Sequence, residues 1–67
     1  MSFLTVVYLK ADGTVDKSTN AYDTLDLAEI QYHVALASAM QKDYTKVIAM
    51  VFDLDGVVKF RRVWERA

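Results

Sequence analysis

Asp-Gly occurs twice in this chain, at Asp12-Gly13 and at Asp55-Gly56, each time with two residues between it and a preceding apolar run. Val6-Val7-Tyr8-Leu9 leads into the first pair and Val47-Ile48-Ala49-Met50-Val51-Phe52 into the second. A Val stands two residues beyond each Gly, at Val15 and Val58. Glycine enters the positive-φ region without steric cost and Asp tolerates it, so Asp-Gly between apolar runs is a strong hairpin signal. The chain holds only these two glycines and no proline. Two hairpins are therefore expected, with no stretch that reads as a linker.

The segments between the turns complete the pattern. Phe3 to Lys10 reads as a strand, apolar on both faces: Phe3, Val7 and Leu9 on one, Leu4, Val6 and Tyr8 on the other. Thr14 to about Tyr22 is polar and reads as a ragged edge strand blunted by charge. Thr24 is a suitable helix N-cap with Asp26 in the first turn, and Asp26 with Glu29 forms an alternative capping box. The helix should run from about Leu25 to Lys42. Val47 to Phe52 is the second doubly apolar strand, and Val57 to Trp64 the fourth strand. The expected fold is α+β, a β-β-α-β-β chain of one domain over residues 1–67. Its four-stranded antiparallel sheet would run 2-1-3-4, with the apolar strands central and one helix on one face.

Sixty-seven residues approach the lower limit for folding alone, and 54% of them are hydrophobic. A domain of this size rarely draws more than ~3–5 kcal/mol from its own core. The apolar surplus thus points to burial against another copy. The chain has no Cys and a single His, His33, so neither a disulfide nor a thiolate metal site is expected, and no cofactor. His33 beside Tyr32 lacks a nucleophile or fixed carboxylate and reads as a helix-flank residue. The start lacks a basic leader, and no apolar span reaches the length of a membrane helix, so a cytoplasmic protein is expected. Charge is unevenly placed: residues 1–58 hold four Lys against eight acids, net −4, and residues 59–67 hold four bases against Glu65, net +3.

Phe52-Asp53-Leu54-Asp55-Gly56 after an apolar strand resembles the first motif of the haloacid dehalogenase superfamily. The resemblance implies a nucleophile at Asp53, a general acid/base at Asp55 and a Mg²⁺ ion. The family's remaining parts, a later Ser or Thr, a Lys and further acids, have no counterpart: after Gly56 come no Ser, Thr or Asp and only Lys59. Two carboxylates without that shell leave the metal mostly hydrated and the nucleophile unactivated. The turn reading is preferred because the signal is duplicated, and a catalytic loop has no reason to appear twice. A calcium site gathering Asp12, Asp16, Asp53 and Asp55 is a further possibility, set against the ordinary acidity of hairpin tips.

Taken along its length, the chain resembles small uncharacterised phage or prophage proteins of Gram-positive bacteria: strand-turn-strand, Thr24-Leu25-Asp26 opening a helix with Tyr32-His33, Leu36 and Ala39-Met40, an apolar strand, Asp-Gly and a late Trp64. This implies a host-cytoplasmic or virion-associated setting and supplies no activity. The expected function is a non-enzymatic structural or interaction module that forms a homodimer. At 100° per residue, Leu25, Ala28, Tyr32, Ala35, Leu36, Ala39 and Met40 share a broad arc assigned to the sheet. Leu27, Ile30, Val34 and Ala37 form a narrower seam on the opposite side, at the 3-4-3 spacing used in helix pairing. That seam is the expected dimer interface, and the doubly apolar strands leave room for a larger oligomer. The alternative is a weak nucleic-acid-binding module using Lys59, Arg61, Arg62 and Arg66 of the last strand, interleaved with Phe60 and Trp64.

Overall fold

The computed structural model describes residues 1–66. Along the chain run β1 (Ser2–Lys10), β2 (Val15–Tyr22), α1 (Leu25–Met40), β3 (Tyr44–Asp53) and β4 (Val58–Glu65). The strands form one antiparallel sheet in the order β2-β1-β3-β4, and α1 covers one of its faces. The α+β class, the element order and the 2-1-3-4 arrangement are those read from the sequence.

Both Asp-Gly pairs make hairpin turns. Gly13 and Gly56 adopt φ of +88° and +82°, and their amides donate to the Lys10 and Asp53 carbonyls at 3.0 Å. In each turn the Asp side chain accepts backbone amides: Asp12 from Thr14, and Asp53 from both Asp55 and Val57, all at 2.9 Å. Because β1 and β3 are antiparallel, with Ser2 opposite Asp53 and Lys10 opposite Tyr44, the two turns lie at opposite ends of the sheet.

Thr24 caps the helix, its hydroxyl accepting from the Leu27 amide at 3.2 Å. The helix ends at Met40, two residues before the expected Lys42. The amides of Gln41 and Lys42 bond instead to carbonyls three residues back, Ser38 and Ala39, which closes the end as a tight turn. β3 begins at Tyr44, earlier than Val47, because its first residues are held by distant partners. Tyr44 packs on Tyr8 with ring centroids 4.7 Å apart, and the Thr45 hydroxyl donates to the Leu9 carbonyl at 3.2 Å. β2 is not ragged: its eight residues pair with β1 in one continuous register. β4 has a bulge at Lys59, since Val51 and Phe52 face Phe60 and Val58.

The core lies between helix and sheet. Leu4 and Val6 of β1 and Val47, Ala49 and Val51 of β3 meet Ala28, Tyr32, Leu36 and Ala39 of α1. Ala28 and Ala39 are almost fully enclosed, so small side chains bring the helix backbone close to the sheet. Tyr8, Tyr22, Tyr44, Phe60 and Trp64 rim this core. The broad helical arc thus faces the sheet as expected, with Leu25 and Met40 left at its flanks, each 37% exposed. Among the described residues, no helix is long and apolar enough to cross a membrane.

Candidate functional site

The chain's charges are placed so that two surfaces keep uncharged centres. From Ile30 to Met40 the helix contains no Asp, Glu, Lys or Arg, although one side of it faces solvent. On that side Leu27, Ile30 and Val34 are 48%, 55% and 50% exposed, with Ala37 also exposed on the same line. The usual outer face of a helix on a sheet is charged or polar. Here the seam read from the sequence stands about half-exposed in the single chain.

The second surface is the face of the sheet away from the helix. Alternation sends Phe3, Thr5, Val7 and Leu9 of β1 to this side, because Ser2, Leu4 and Val6 point into the core. Their cross-strand neighbours on β3 are Phe52, Met50, Ile48 and Lys46. Phe3 and Phe52 stack, with centroids 5.4 Å apart. All of these residues are half-buried, and among the described residues no other element lies over them. The polar groups of this face sit towards its margins: Lys17 and Thr19 on β2, Arg61 and Glu65 on β4, and Lys46 at the start of β3, 3.4 Å from Glu65. The signal for this surface was the double apolarity of β1 and β3; which of their two faces would stay bare was not readable.

The four basic residues in and just after the last strand do not converge. Arg62 pairs across from Ala49 on the helix side, while Arg61 pairs with Met50 on the uncovered side. The Lys59 amine lies 3.7 Å from the Asp53 carboxylate beside the second turn. Arg66 is folded down at the far end, donating to the Lys42 and Tyr44 carbonyls at 2.6 and 3.1 Å and lying over the Trp64 ring. Lys59 and Arg66 are separated by about 23 Å of strand at ~3.3 Å per residue.

The carboxylates are likewise dispersed. Asp12 and Asp16 lie at one end of the sheet and Asp53 and Asp55 at the other, so the four-Asp calcium site is not assembled. Among the described residues no three His, Asp or Glu side chains gather to hold a metal ion. Asp53 is occupied as a turn cap, and the amides it accepts, Val57 first, hold its carboxyl below the usual range, with Lys59 adding to the effect. Asp12 is lowered in the same way by the Thr14 amide. His33 is exposed, 3.6 Å from Glu29 and edge-on to Tyr32. A crevice of about 410 Å³ beside the first turn is lined by Lys10, Ala11, Asp12, Lys42, Asp43 and Tyr44.

The chain matches no protein-family model, no curated protein and no solved structure.

Proposed function

We propose that this protein is a non-catalytic structural module that works by self-association, in the phage or prophage setting its sequence pattern resembles. The helix seam Leu27, Ile30, Val34 and Ala37 meets the same seam of a second copy about a two-fold axis. The observation that carries this reading is an eleven-residue stretch of helix, Ile30 to Met40, free of Asp, Glu, Lys and Arg, while Ile30 and Val34 within it and Leu27 one turn before stand half-exposed. A two-fold pairing is self-complementary, so one patch suffices for both partners. The non-catalytic part rests on Asp53, whose carboxylate is committed to two backbone amides of its own turn.

The test is solution mass by sedimentation or light scattering at tens of micromolar, for the wild type and for Ile30→Glu with Val34→Glu. Both positions are solvent-accessible in the single chain, so the variant should keep its far-UV circular dichroism. Its mass should fall below that of the wild type. A wild type that is monomeric at that concentration, or a variant of unchanged mass, refutes the seam.

A further inference from the structure

We infer that the uncovered face of the sheet is a second self-association surface, whose occupant is the same face of another copy. The inference extends the seam reading, because it places a different interface on the opposite side of the molecule.

Size is the first argument. Four strands at ~4.8 Å spacing and eight residues at ~3.4 Å each give a flat footprint of about 500 Å². Two such faces together remove about 1,000 Å², the area at which specific interfaces begin, and side-chain relief adds to it. Composition is the second. The centre, Phe3, Val7, Ile48, Met50 and Phe52, is apolar apart from Thr5, and the charged side chains stand around the margin. An apolar centre inside a polar rim is the anatomy of a protein interface. A strand-binding groove for nucleic acid would instead track cations along its length.

Self-complementarity is the third. The midline of this face runs between β1 and β3, and a two-fold axis along it lays each strand over its neighbour's counterpart: β1 on the partner's β3, β2 on the partner's β4. Each cross-strand row then meets itself reversed. The Phe3–Phe52 pair meets the same pair, Val7 meets Ile48, and the small Thr5 meets the long Met50. On the flanks Lys17 comes opposite Val63, between Glu65 and Arg61 two residues along on either side, Thr19 comes opposite Arg61, and at one end Leu9 meets Lys46. No row sets like charges against each other.

The geometry has a consequence for assembly size. The seam and the sheet face lie on opposite sides of one two-layer slab, so their two-fold axes lie in separate planes and do not meet. Alternating the two contacts therefore stacks copies in an open series rather than closing at a dimer or tetramer.

The experiment compares solution mass over a concentration series for four proteins. These are the wild type, the sheet-face variant Ile48→Lys, the seam variant Ile30→Glu with Val34→Glu, and the two combined. The wild type should show a mass that keeps rising with concentration, each separate variant should stop at a dimer, and the combination should be monomeric. If Ile48→Lys fails to fold, Val7→Thr with Ile48→Thr replaces it, since both keep the branched β-carbon that suits a strand. A folded sheet-face variant with wild-type mass overturns this inference and leaves the seam reading standing. A seam variant of unchanged mass, with a monomeric sheet-face variant, overturns the seam and leaves this inference standing. A monomeric wild type overturns both, as would a monomer that binds a single-stranded oligonucleotide in an Ile48-dependent way.

Discussion

Leu36 and Ile30 lie on opposite sides of the same helix, and replacing each with Ala separates the core from the seam. Leu36 is 4% exposed and sits among the residues that join helix to sheet. Cutting a buried Leu to Ala costs about 2–5 kcal/mol, combining lost transfer energy with the cavity left behind. A domain of this size rarely draws more than ~3–5 kcal/mol from its core in all. Leu36→Ala should therefore be largely unfolded at 25 °C in dilute solution. Ile30 is 55% exposed, so its side chain is a little under half buried in the single chain. Losing three carbons at ~0.8 kcal/mol per fully buried group, scaled by that half, gives about 1 kcal/mol. Alanine's better helix propensity returns a few tenths of that. In dilute solution the melting temperature should then fall by no more than ~4–8 °C. The difference between the two sites appears on concentration. A chain that associates only when folded melts higher as concentration rises, and Ile30→Ala should weaken that rise, whereas Leu36→Ala leaves both faces intact and should keep it. The assay is thermal unfolding by circular dichroism at a few micromolar and at several hundred. Equal damage from both substitutions in dilute solution would show that Ile30 belongs to the core. Melting independent of concentration in the wild type would refute self-association through either face.

Asp53→Asn should fold, because the amide oxygen can accept the Asp55 and Val57 amides in the carboxylate's place, and wild type and variant alike should show no Mg²⁺-dependent hydrolysis of a generic phosphate ester. Asp53 and Asp12 are both held below their ordinary carboxyl range, so their stabilisation is fully present above the unfolded value near 3.9 and is lost as pH falls through the folded ones. Acid titration should show wild-type stability dropping below about pH 4, with a shallower fall in Asp53→Asn; identical acid limbs would contradict the turn-cap assignment. Gly56 has no atom within 4 Å of where a Cβ would stand, so Gly56→Ala suffers from its φ of +82° alone, a cost of about 1–2 kcal/mol measurable by urea unfolding. Gly56→Asn should cost less, and equal losses would point to a steric cause. Binding of short DNA or RNA should be no tighter than the non-specific range of ~10⁻⁴–10⁻⁶ M, falling with salt and with Arg61→Gln plus Arg66→Gln; a sub-micromolar, sequence-selective complex would favour the nucleic-acid reading.

The strand order was legible because each level of pattern agreed: two turn signals, a capped helix between them, two apolar strands and two charged ones. Element ends were less so, for reasons of distant packing. Asp43-Tyr44-Thr45 reads locally as loop, yet Tyr44 stacks on Tyr8 and Thr45 bonds to Leu9, contacts that exist only once β1 lies alongside. β2 carries little apolar alternation, and its straight register comes from the ladder that β1 supplies. The helix seam was visible in its 3-4-3 spacing. The uncovered sheet face was half visible, because Phe3-Val7-Leu9 and Leu4-Val6-Tyr8 are equally apolar and only the seating of the helix chooses between them. A one-residue shift of register exchanges the two sets entirely.

The edges of the sheet make the bare faces meaningful. An unpaired strand is the usual weak point of an open sheet, and proteins guard it with charge, bulges or cover. Here β2 exposes Asp16 and Lys17, with Asp16 paired to Lys10 at 3.0 Å. β4 carries Arg61, Arg62 and Glu65 and a bulge at Lys59. Of the seventeen acidic and basic residues, none lies in β1 before Lys10, in β3 between Val47 and Phe52, or in α1 after Glu29. Charge on those faces would not disturb the core, which lies between them. A sequence shaped for solubility alone would have placed some there. Charge concentrated on edges and turns instead discourages growth by strand addition and leaves stacking through the faces open, which is the association that the helix seam and the uncovered sheet provide.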